Sequence, residues 1–220
     1  MPGLALAKAG NGLPAATLTQ ALALVQQSAK AGAPAGARIV VQAGSLDARL
    51  QLAPCAQITP YLPAGVPVWG RTRVGLRCSQ GAAWNVSLPV QVQVWAAAVV
   101  STQALPAGAL LGTGQLVLAE IDWAAQNTPP FAQVEALHQR VLVRPVQPGQ
   151  ALRLVDLQAR QWFKLGETVQ VHATGPGFSI ATEGQALSPG VEGQTARVRT
   201  DSGRIVSGTP VGERRMEVRL

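Results

Sequence analysis

The sequence predicts a mainly β protein with a few short helices, and three observations carry that prediction. Two stretches are versions of one another: Leu105-Pro-Ala-Gly108-Ala-Leu-Leu111-Gly-Thr-Gly-Gln-Leu116 aligns without a gap on Val146-Gln-Pro-Gly149-Gln-Ala-Leu152-Arg-Leu-Val-Asp-Leu157. Each copy has the chemistry of a tight turn, in which an apolar residue and a turn-former precede a glycine free to take positive φ, and apolar residues then return to the core. The interval of roughly forty residues suits a repeated structural unit, and Leu187-Ser-Pro-Gly190 is a shorter echo one period further on. Second, the 220 residues include 23 glycines and 16 prolines, which favours short strands joined by turns over long helices. Third, Val86, Leu88, Val90, Val92 and Val94 alternate with Ser87, Pro89, Gln91 and Gln93, the period of a strand with one buried and one wet face.

Taken in order, residues 17–31 form the one clear helix. Leu18, Leu22, Val25 and Ala29 recur at helical spacing, Thr17 and Gln20 suggest a capping box, and Gly32 supplies the stop. Arg38–Val41 reads as a strand, 46–52 as strand or irregular chain, and Arg71–Cys78 and Val86–Val94 as the next two strands. Pro89 cannot donate to a ladder, which places 86–94 near a sheet edge, where another strand can be accepted. The chain changes register at 95–100, and 123–139 reads as a loop with a short helix. From residue 158 on, Val169/Val171, Ala196/Val198, Ile205 and Met216/Val218/Leu220 mark strands punctuated by glycine, with Arg197, Arg199 and Arg219 on their outward faces. Three domains follow: 1–96 with mixed helix and strand, 97–157 around the repeat, and 158–220.

Charge narrows the partners. The net charge of +7 is concentrated early: residues 1–96 carry seven basic side chains against Asp47 alone. These are isolated among apolar residues, without the dense basic patches and interleaved aromatics of a nucleic-acid binder, so an acidic protein surface is the better partner. No apolar run reaches the length of a membrane span. The start, Met1-Pro-Gly-Leu-Ala-Leu-Ala-Lys8, lacks the basic opening and unbroken apolar core of a signal peptide.

Cys55 and Cys78 belong to no CxxC motif, which argues against zinc and thioredoxin-like chemistry. They are either two unrelated thiols or a disulfide; pairing is favoured because both lie in turn-rich sequence flanking a strand, and it would imply an oxidising compartment. No catalytic constellation emerges. The acids are scattered, Gly112-Thr-Gly114 lacks the rest of a dinucleotide motif, and His138 and His172 read as exposed residues rather than ligands. Asn85-Val-Ser87 matches a glycosylation sequon by residue type only. No cofactor, metal or catalytic residue is expected.

Three blocks in order carry a family likeness. Leu46-Asp47-Ala-Arg49-Leu-Gln-Leu52-Ala-Pro-Cys55, followed by Gly70-Arg71-Thr-Arg-Val74-Gly-Leu-Arg77-Cys78 and Trp84, resembles the amino-terminal domain of flagellar basal-body P-ring formation proteins, the FlgA family. Residues 99–157, with the doubled turn, are similar to the SAF domain, a β-clip-like fold. The ending, with Arg197-Val-Arg199, Ser202-Gly203-Arg204 and Glu217-Val218, is similar to the family's carboxyl-terminal signature. The likeness spans about 38–220. Thr200 stands where the family leads one to expect Asn, Arg140 where Gly is usual, and Gln115 where the second repeat has Asp156.

The resemblance implies an exported periplasmic chaperone that binds the flagellar P-ring protein transiently, near peptidoglycan, without stable membrane insertion. It implies no catalysis, and it supports the Cys55–Cys78 pairing. Candidate partner-binding residues are Val86, Leu88, Val90 and Val92 on the expected edge, Arg197 and Arg199 on the basic face, and any exposed apolar patch within 97–134. Two alternatives share the SAF-like middle: a pilus-assembly protein, which should keep a membrane anchor, and a carbohydrate- or peptidoglycan-binding module.

Overall fold

The computed structural model describes residues 13–175 and 178–219. The loop tip at Pro176 and Gly177, the first twelve residues and Leu220 lie outside them. By internal contacts the chain forms two compact units. The first takes residues up to Leu105, Gly112–His138 and Val146–Arg153; the second takes Pro106–Leu111, Gln139–Pro145 and everything from Leu154 on.

In the first unit, helix α1 (Ala15–Ala31) covers one face of an antiparallel sheet. Its strands are β1 (Arg38–Ala43), β2 (Gln57–Tyr61), β3 (Gly70–Gln80) and β4 (Asn85–Ser101), in the order β1-β4-β3-β2, and β5 (Leu116–Asp122) pairs the far half of β4. The helix starts two residues earlier than expected and without a side-chain cap: Thr17 points inward and is buried. The buried line is Thr17, Ala21, Val25 and Ala29, spaced by four, while Leu18 and Leu22 flank it half-buried. Alanine at 21 and 29 lets the helix lie close on Val74, Leu76, Leu88, Val90, Val92 and Val94. Each large aliphatic side chain buried there contributes about 1.5–3 kcal/mol.

Strand β4 departs most from expectation. The predicted alternation of buried and exposed residues holds from 86 to 94, yet the strand is interior, with β3 on one side and β1 on the other. Nor does it break at 95–100; it runs 17 residues, and its last four are all buried. Pro89 explains how a proline fits mid-sheet. Its carbonyl accepts from Gly44 N at 2.8 Å, just past the last β1 pair, Ala43 with Val90. Carbonyl and nitrogen of one strand residue face the same neighbour, so the missing donor falls where the β1 ladder ends.

In the second unit a closed barrel is built from β7 (Thr168–Gly175), β8 (Phe178–Ala186), β10 (Ala196–Thr200), β11 (Ile205–Gly212) and β12 (Arg215–Arg219), in the order β10-β11-β12-β7-β8. The β12–β7 pair is parallel and the others antiparallel. A short ladder of β6 (Gln161–Phe163) with β9 (Gly190–Val191) adds Phe163 to the core of Val169, Val171, Ala186, Ala196, Val198, Met216 and Val218. Among the described residues the predicted inward positions hold except Ile205, which is exposed; the predicted position at Leu220 lies outside them. Barrel closure removes the edges that a small sheet would otherwise leave open.

The repeat is realised in backbone hydrogen bonds. Leu105 and Val146, matching residues of the two copies, exchange both N–H···O bonds at 2.9 Å. Other pairs recur with each partner shifted by the same interval. Gly108 N donates to Leu142 O and Gly149 N to Ser101 O; Leu111 N donates to Arg140 O and Leu152 N to Val99 O; Thr102 N donates to Gln115 O and Val143 N to Asp156 O. Gly108 and Gly149 have φ of 82° and 75°, the conformation both turns require. The third echo is different: Gly190 sits in β9, outside the set of positive-φ glycines.

Candidate functional site

The amino-terminal motif forms a scaffold. Cys55 and Cys78 are joined as a disulfide with a Cα–Cα separation of 5.9 Å. Around it, Ala56 N donates to Gln80 O, Cys78 N to Trp84 O, and the Trp84 indole to Ala53 O. The motif tryptophan thus straps the irregular 46–55 segment to the β3–β4 turn. Within that segment Asp47 accepts from both the guanidinium and the backbone N–H of Arg49. The guanidinium first, then the N–H, holds the Asp47 carboxyl below the usual carboxylate range.

The structure redistributes the expected contact residues. Leu88, Val90 and Val92 are core residues under α1 whose side chains offer no partner surface, and Val86 is half-buried against the same core. The reason is the interior place of β4. β5 pairs only β4 among the described strands, which makes it an edge strand, as β1 and β2 also are. Val117 and Leu118 on β5 are 47% and 52% exposed. The far end of β5 is anchored: Glu120 pairs with Arg38 at 3.2 Å, and Asp122 Oδ1 accepts from Val94 N and Ala124 N, both at 2.9 Å. An apolar, unpaired strand edge on a firm base is a surface able to accept another strand.

In the second unit, Arg197 and Arg199 point outward from β10 as expected. Ser207 and Ile205 of β11 lie opposite them, and Gln185 of β8 flanks Arg199. Among the described residues neither guanidinium has a carboxylate partner, and Ile205 beside them is 56% exposed. The result is a basic patch with an apolar neighbour.

Three buried polar groups escaped the sequence reading. Arg140, 3% exposed, pairs with Glu192 at 2.6 Å and also donates to Gln158 O. Asp156, fully buried, accepts from Arg144 Nε at 2.5 Å, while buried Arg153 donates to Thr128 O. Scattered acids looked like solvated singles because their partners lie far along the chain. The departures from the family pattern also have local roles. The Thr200 hydroxyl bonds Ser202 Oγ and Arg204 O, holding the β10–β11 turn, and Gln115 Oε1 accepts from Gly112 N. His172, expected exposed, is half-buried with Nε2 buried and unpartnered. Among the described residues no three His, Cys, Asp or Glu side chains gather as metal ligands, and no helix is long and apolar enough to cross a membrane.

Comparison with known proteins gives the family. Residues 96–218 match the family model described as a chaperone for flagella basal body P-ring formation, and residues 18–94 match the FlgA N-terminal domain. The chain belongs to the FlgA family. The flagella basal body P-ring formation protein FlgA of Salmonella typhimurium is 31% identical over 157 residues, 70% of this chain and 69% of that protein. The Escherichia coli FlgA is 31% identical over 159 residues, 71% and 70% of the two chains. A crystal structure of Salmonella FlgA in closed form superposes with a TM-score of 0.62 at 27% identity, covering 92% of this chain and 98% of that one. The two FlgA family models meet at residues 94–96, within the continuous strand β4.

Proposed function

We propose that this chain is a periplasmic chaperone that binds the P-ring subunit transiently during assembly and acts by binding rather than by catalysis. Family membership supports the process. The observation that carries the mode of action is the unpaired apolar edge of β5, with Val117 and Leu118 exposed on a strand anchored through Glu120 and Asp122. A transient cover needs an edge that satisfies a partner's backbone and is released again, which one short strand supplies. The patch of Arg197, Arg199 and Ile205 adds a second contact suited to an acidic surface. The Cys55–Cys78 disulfide supports an oxidising compartment, and so a setting close to peptidoglycan. We read residues 97–157 as one SAF-type module, a reading supported by the recurrence of its backbone pairings at a constant interval.

The test is a strain lacking this chain, complemented with variants. Deletion should abolish P rings while rods still form, and Leu118→Glu should reproduce much of that loss with normal protein levels. A photo-crosslinker at 118 should capture the ring subunit. Intact P rings in the deletion strain would refute the function; normal rings with Leu118→Glu and no capture would refute the β5 contact alone.

A further inference from the structure

The second unit carries a polar cleft that the P-ring reading does not use, lined by Arg160, Gln161, Trp162, Glu167, Glu213 and Arg214. We infer that this cleft is a receptor for a single carboxylate presented by an acidic peptide segment.

Arg160 is pre-set for that task. Its guanidinium lies over the Trp162 ring at 5.6 Å. Its backbone is clamped at both ends, the N–H donating to Glu192 Oε2 at 3.3 Å and the carbonyl accepting from Glu192 N at 2.8 Å. Glu192 is in turn held by buried Arg140. A guanidinium stacked on an aromatic face keeps its N–H edges free, and that planar fork matches a carboxylate in two parallel bonds. Arg214 faces the same cleft from the β11–β12 turn. It holds a left-handed φ of 50°, costly for a residue with a side chain, and is strapped by Arg214 N to Trp162 O and Gln170 N to Arg214 O. Among the described residues neither arginine has an ion-pair partner, although two acids line the same cleft. Glu167 is engaged by Lys164 N at 3.1 Å. The Trp162 indole nitrogen is buried without a partner. A left-handed backbone and an unmet donor thus occur in the same lining as the two arginines.

The surroundings select the ligand. Two acids offset two arginines, so the cleft has no net field to gather a polyanion, and recognition has to come from the local fork. Arg160 lies over one face of the Trp162 ring and Trp162 packs against the barrel core, an arrangement that disfavours stacking of a pyranose ring. A glutamate or aspartate on an extended peptide meets both conditions, with neighbouring peptide N–H groups available to Glu213.

The site is read on the isolated chain, so its failure leaves the P-ring reading untouched and the reverse also holds. The full-length protein, labelled with nitrogen-15, is titrated with a blocked peptide Ser-Gly-Glu-Gly-Glu-Gly-Ser, its glutamine counterpart, and N-acetylmuramate. The acidic peptide is expected to shift the Trp162 indole and the Arg160 and Arg214 amides saturably, and the glutamine peptide to leave them in place. Arg160→Gln and Arg214→Gln should each weaken binding by about tenfold or more, the scale of a lost charge-assisted pair, and Arg160→Lys should weaken it too because it lacks the fork. Lys30→Gln should bind as the parent, and spectra unchanged elsewhere establish that each variant is folded. Equal shifts with the glutamine peptide, no saturable shift, or unaltered binding by both arginine variants would overturn the assignment. Tighter saturation by N-acetylmuramate would overturn the peptide reading in favour of a glycan.

Discussion

The ring of Phe163 fills the space that a Cβ on Gly190 would need: a β-carbon built there would lie 2.3 Å from the ring carbons. The two residues are paired across β6 and β9, and Phe163 is 2% exposed in the barrel core. Gly190→Ala should therefore destabilise the second unit by about 1–3 kcal/mol through overpacking, measured as a lower denaturant midpoint at unchanged slope. Gly108→Ala, with open space around its missing Cβ, should cost about 1–2 kcal/mol through its φ alone. Stability unaffected by Gly190→Ala would contradict the packing seen here.

Reduction of Cys55–Cys78, or the double variant Cys55→Ser with Cys78→Ser, should lower stability by about 3 kcal/mol, the loop-closure value for a separation of 23 residues. Thermal unfolding with and without a reductant checks it. The reduced protein should also lose amide protection at Ala56 and Cys78, whose N–H groups are bonded beside the bridge.

Arg140→Ala should cost about 3–5 kcal/mol, because it leaves Glu192 without its cation in a largely buried place. Arg140→Met combined with Glu192→Leu should cost much less than the sum of the two single changes. Additive single and double costs in a mutant cycle would mean that the pair is not coupled.

Asp47 should titrate at lower pH in the parent than in Arg49→Ala, since the Arg49 guanidinium favours the ionised carboxyl. The sign is fixed by linkage: a carboxyl whose pKa is depressed on folding stabilises above its unfolded pKa, and the benefit is lost as pH falls through the folded value. Both groups are solvent-exposed, so the effect belongs to the local 46–52 turn, read from the Asp47 carboxyl carbon shift in an NMR titration. Identical midpoints would show that the contact is absent in solution.

Local patterns carried much of the fold. The helix, the alternation along β4 and the two glycine turns were legible because each depends on spacing within a few residues. What was not legible depended on partners distant in sequence. Pro89 signalled an edge, yet its missing donor coincides with the end of β1, which only the register reveals. Val86, Leu88, Val90 and Val92 looked like an interaction strip because an apolar face reads the same whether α1 or a partner covers it. The exposed apolar pair on an edge strand fell to β5, whose sequence shows no sharper alternation than its neighbours. The outward placement of Arg197 and Arg199 was legible because outward charge follows directly from alternation with Ala196 and Val198. Gly190 resembled a third turn by composition, while its role is set by the Phe163 ring.

The exchanged loops of the repeat bear on how the polypeptide is made. The first unit needs Val146–Arg153 to finish the pairing of Val99 and Ser101, and the second needs Pro106–Leu111 to pair Arg140 and Leu142. A ribosome that has released only the first 105 residues has therefore issued an unfinished unit, and no cut between residues 106 and 153 yields two self-sufficient pieces. Two fragments divided there would have to meet again in trans to recover either half, like a clasp whose two parts are sewn to opposite sides of the cloth.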